Sequence, residues 1–147
     1  MRGIQLFDEL FTAVPELVAP VKMLCSEYGG LIDNDVLMWE VGVMECLEFL
    51  LSEGYTYQST LEKVFSFFER MATESSDSKS FLYHTTIAYF YSRSHEQQKA
   101  IQLMHSETKS MWTAYVSHQK NIELWRLSLF YSDEEMDELG MHYEYLN

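Results

Sequence analysis

Five histidines, two cysteines and twenty-three carboxylates are the side chains that could do chemistry in this 147-residue chain. A metal site needs its ligands at set spacing, because the ion fixes their geometry. His84, His95, His105, His118 and His142 form no His-Glu-x-x-His pattern, and none stands three residues after a glutamate. Glu138 and His142 are four apart, but Gly140 lies between them and breaks the helical geometry. Cys25 and Cys46 have no partner at ligand spacing; both occupy apolar positions of predicted helices and read as buried thiols. A nucleophile would need an activating base beside it. No nucleophile elbow, phosphate loop or dinucleotide fingerprint occurs, and Gly29-Gly30 reads as a helix stop. Carboxylates are numerous enough for an acid–base pair, yet nothing singles out two of them. The expectation is a protein with no catalytic, cofactor or metal site.

The charge is more informative. The chain carries −13 overall, distributed as −9 over residues 1–62, +2 over 63–126 and −6 over 127–147, with no lysine or arginine after Arg126. Such a field repels nucleic acid and anionic membranes and attracts basic partners. Solubility alone is the plainer explanation of acidity. Asp8 and Glu9 interrupt the apolar N-terminus, so it cannot serve as a signal-peptide core, and no run approaches a membrane span. These features predict a cytoplasmic protein.

Helical periodicity positions these residues, and strand alternation is nearly absent. Ile4, Phe7, Leu10, Phe11 and Val14 share one face of a first helix that Pro15 ends. A turn over Glu16 to Ala19 leads to a second helix starting near Pro20, with Val21, Leu24, Cys25 and Tyr28 on its stripe. Asn34 can cap a third helix reaching Gly54, with Val36, Trp39, Val43, Cys46, Leu47 and Leu50 inward. Ser59 to Glu62 has the capping-box pattern, followed by Leu61, Val64, Phe65, Phe68 and Met71 at helical spacing. Ser75 to Lys79 reads as a polar connector. Phe81 to Tyr91 carries no formal charge and should be the central buried helix, with His84 a hydrogen-bonded core residue. Ser94 to Gln97 and Ser132 to Glu135 are further capping boxes. The first opens a helix with Ile101, Met104, Thr108, Met111, Trp112 and Tyr115 inward. Ile122, Trp125, Leu129 and Phe130 continue the apolar pattern into another helix, and the last helix stops at Gly140. Residues 141–147 read as an irregular tail. The predicted architecture is all-α, a single-domain irregular bundle of about seven helices.

Two acid-and-aromatic clusters are the candidate partner-binding residues. The first is Asp33, Asp35, Glu40, Glu45 and Glu48 with Tyr55 and Tyr57; the second is Asp133, Glu134, Glu135, Asp137 and Glu138 with Tyr143 and Tyr145. Acids in a first helical turn complement the helix dipole, which accounts for Asp133 to Glu135 but not for the missing bases. Like charges this close repel, and tyrosine beside carboxylate suits a polar interface with rigid anchors.

The run from Leu61 to Met71, then a short polar connector and an uncharged helix, resembles the middle of small helical immunity proteins of bacterial contact-dependent growth inhibition and related polymorphic toxin systems. The whole chain is similar to them in size and acidity. The resemblance covers about a third of the chain, has no diagnostic motif, and transfers no site residue. It implies a protein that binds a cognate toxin domain, often a basic nuclease such as an RNase, and covers its active site. Two other readings stay open: a DNA or RNA mimic that occupies a nucleic-acid-binding protein, and a non-catalytic helical subunit whose acidity only maintains solubility.

Overall fold

The computed structural model describes residues 3–27 and 35–140. Eight helices account for nearly all of them, and no strand occurs among the described residues. Helix α1 (Gly3–Ala13) ends before Pro15, where a 3₁₀ turn (Pro15–Leu17) leads directly into α2 (Val18–Glu27). Pro20 sits in the first turn of α2, where a backbone N–H has no intrahelical acceptor, so the helix starts two residues earlier than its proline suggests. Helix α3 (residues 35–52) and α5 (residues 76–92) are each interrupted by a π-helical turn, at Trp39–Met44 and Tyr83–Ile87. Between them runs α4 (Gln58–Glu74); α6 (Gln97–Leu103), α7 (Ser106–Ser128) and α8 (Asp133–Glu138) complete the chain. The Gly29-Gly30 stop, the Tyr28 contact, the Asn34 cap and the tail from Met141 lie outside the described residues.

The core forms where the sequence pattern is most regular. All five stripe residues of α4 are buried, from Leu61 to Met71, and Phe67 and Ala72 join them. Removing such a side chain from water stabilises the fold by about 1.5–3 kcal/mol. Trp39 is the centre: fully buried, with Phe7, Phe81 and Phe68 rings at 5.5, 5.3 and 6.4 Å. Its indole N–H donates to the Thr86 hydroxyl at 2.9 Å, so the two π turns are joined by a buried hydrogen bond. Gly42 lets α2 approach α3: a Cβ there would lie 2.7 Å from Cys25 Sγ and 2.9 Å from a Val21 methyl.

Several sequence expectations fail for identifiable reasons. Val36 is exposed, because a π turn carries an extra residue and rotates the preceding stretch off the inward face, by roughly 100°. The same geometry at residues 83–87 turns His84 to solvent and buries Thr85, Thr86 and Ile87. The predicted connector Ser75 to Lys79 is helical from Ser76 onward, which leaves Ser75 alone between α4 and α5. Its hydroxyl accepts the Ser78 N–H and caps α5. The predicted helix through Ile101 and Tyr115 breaks at Met104–His105, where the backbone is extended. Helix α7 then runs unbroken for 23 residues, about 34 Å. Of the three capping boxes, only Ser132 with Glu135 forms. Helix α4 begins a residue before Ser59, and Ser94 is engaged elsewhere.

Candidate partner-binding surface

The first acidic cluster is folded into the molecule. Glu40, Glu45 and Glu48 project from α3 towards the segment after α5, where Arg93 lies 3.7 Å from Glu40 and 3.9 Å from Glu45. The same guanidinium sits 5.4 Å from the Tyr89 ring centre. Burial, reinforced by the nearby Glu45 and Glu48 charges, pushes the Tyr89 phenol up to about 12. Glu48 is the most committed of the three. One of its oxygens accepts the Ser94 hydroxyl and the other the His95 N–H, both at 2.7 Å. Asp35 is half-buried at the start of α3. Tyr55 is 86% exposed, and Tyr57 rests against Phe49 at 6.1 Å. Asp33 lies outside the described residues.

Beside Tyr55 a polar cleft of about 750 Å³ opens, lined by Gln58, His95, Gln98, Lys99 and Gln102 among others. The Lys99 ammonium donates to the carbonyls of Leu51 and Gly54, which closes the C-terminal end of α3. Gly54 takes φ +64°, as the predicted stop requires.

Other bases from the middle of the sequence also meet acids from distant segments. Lys63 reaches Glu16 at 3.2 Å, Arg70 reaches Glu9 at 3.2 Å, and Lys79 reaches Glu107 at 3.8 Å. Each exposed pair contributes little energy, about 0–1 kcal/mol. Lys63 and Arg70, with Arg93, partly neutralise the N-terminal acidic block.

The second cluster is different. Asp133, Glu134 and Glu138 are exposed on α8 and meet no base among the described residues, while Glu135 serves the capping box. Next to them stand Trp125 (57% exposed), Leu129 (62%), Phe130 (82%) and Leu139 (56%). In the sequence the first three continue the apolar pattern into a further helix. In α7 the main core takes Met111, with Trp112 and Tyr115 packed against it, and no residue beyond them. Leu124 and Met136 are buried outside that core. Tyr143 and Tyr145 lie outside the described residues.

One functional carboxylate was missed entirely. Glu69, on α4 outside the apolar stripe, accepts the Glu107 and Thr108 N–H groups at 2.9 Å and the Thr108 hydroxyl at 2.6 Å. It caps α7 across 38 residues of sequence. Burial alone would raise its carboxyl, but these hydrogen bonds and nearby His105 outweigh it and hold the group below its ordinary value.

No group of three metal-ligating side chains occurs among the described residues. Both cysteines are buried, and desolvation raises Cys25 and pushes Cys46 up to about 11, away from thiolate chemistry. No described helix is long and apolar enough to cross a membrane. No family model, curated protein or solved structure matches this chain.

Proposed function

We propose that this chain is a non-catalytic binding protein that neutralises a basic protein partner, in the manner of the immunity proteins it resembles. The partner on this reading is a cognate bacterial toxin domain, a basic nuclease of the RNase kind, whose substrate-binding surface the acids cover. Work in the cytoplasm follows from that role. One observation carries the reading: Lys63, Arg70, Lys79 and Arg93 meet acids from the first half and middle of the chain, while Asp133, Glu134 and Glu138 meet no base among the described residues. Unneutralised carboxylates on one end favour a cationic partner and speed its capture.

The test pairs the purified chain with the toxin domain encoded beside its gene. The expected result is a one-to-one complex on size exclusion and rescue of cells expressing that toxin. Neither complex nor rescue would refute the reading. Displacement of DNA from many unrelated basic proteins would favour a nucleic-acid mimic instead.

A further inference from the structure

We propose that the docking face is the junction of α7 and α8, with Phe130 as its anchor, and that it takes a basic protein surface bearing an apolar pocket. The inference deepens the reading above but can be tested without the toxin. Trp125 lies in the last turn of α7, Leu129 is the C-terminal cap four residues on, and Phe130 follows in the turn to α8. Four large apolar side chains, each more than half exposed, crowd about fifteen residues. Isolated exposed apolar residues are ordinary, whereas a run beside a polar rim is the composition of an interface centre. Here the rim's net sign is negative: Asp133, Glu134 and Glu138 are exposed acids of the adjoining helix, against the exposed Arg126 beside Trp125.

That sign selects the occupant. A second copy would bring its own −6 block against this one, juxtaposing like charges at the rim. An anionic membrane surface would meet the same repulsion. A cationic surface would neutralise the rim while its pocket removes Phe130 from water, so attraction and burial act together. The acids of α3 offer no equivalent, since Arg93, Ser94 and the His95 backbone already hold them.

The probe is a synthetic amphipathic helix of lysine and leucine, compared with oligolysine of equal charge and followed by Trp125 emission. The lysine–leucine peptide should bind about tenfold or more tightly than oligolysine, and weaken as salt rises. Phe130→Ser and Leu129→Ser should each lose about tenfold, with urea midpoints unchanged because both side chains are exposed. Glu40→Gln should bind as the parent does. Equal binding of the two peptides, or undiminished binding by Phe130→Ser, would overturn the proposal. So would a concentration-dependent dimer abolished by Phe130→Ser, which makes the occupant a second copy. Binding that emerges only after residues 141–147 are removed would assign the face to the chain's own tail. Peptide binding without toxin binding would sink the immunity reading and leave this face standing; toxin binding indifferent to Phe130→Ser would do the reverse.

Discussion

Two regions of this molecule use the same functional group to opposite ends. In the body, Glu48 and Glu69 each reach across dozens of residues to satisfy backbone N–H and hydroxyl donors of a later segment. On α8, Asp133, Glu134 and Glu138 stand exposed with carboxylates of equal chemistry, while Glu135 closes the capping box of its own helix. A count of acids treats these groups alike. The difference lies in what each would leave behind: removing a body carboxylate orphans donors, whereas removing one from α8 leaves water in its place.

That contrast can be broken by substitution. Glu69→Ala should have the largest effect, because three donors lose a charged acceptor at once. A loss of about 2–3 kcal/mol is expected, a fall in Tm of roughly 6–10 °C, read by thermal denaturation. Glu48→Ala orphans two donors and should cost about 1.5–2 kcal/mol, measured by urea unfolding. A loss below about 0.5 kcal/mol in either would end the claim that body carboxylates hold the fold. Acid sharpens the same point. Glu69 titrates below its ordinary value of 4.5 when folded, so its contribution is present above that value and is lost as pH falls through the folded one. The urea midpoint should therefore drop as pH falls below about 4.5, and Glu69→Gln should flatten that drop. Smallest of all, Glu134→Gln with Glu138→Gln should change stability by less than about 0.5 kcal/mol. The same pair should slow capture of a basic partner and weaken its salt dependence, by stopped-flow mixing.

The sequence made the helices legible where one element decides its own structure. Helix α4 is read from Leu61, Val64, Phe65, Phe68 and Met71 because a regular 3.6-residue period needs no outside information. The Ser132–Glu135 box is equally local. The failures involve either partners that spacing cannot show or a change in the period itself. Ser94 has the right neighbours for a capping box, but its hydroxyl is drawn to Glu48, 46 residues away. Glu69 sat on a solvent face by periodicity and caps a helix that follows two others. Val36 and His84 were misplaced because π turns change the period itself. Trp125, Leu129 and Phe130 show the limit for the candidate surface. Their apolar spacing is real, yet spacing cannot say whether anything packs against it. The second acidic cluster was legible as charge; its apolar companions became visible only as exposure.

The paired π turns have a further consequence for how this chain tolerates change in length. Each is an α-helix with one residue too many, and Trp39 and Thr86 tie the two surplus turns together. Dropping a single residue from either turn would relax it to ordinary helix without shortening any loop. Because the π turn already absorbs that residue, both flanks would keep their facing and the change would fall on the turn and its indole–hydroxyl bond, whereas the same deletion in the unbroken α7 would swing everything beyond it by roughly 100° about the axis. For α3 and α5, then, a one-residue deletion inside the π turn is absorbed where it falls, and only in α7 is it a frameshift in space.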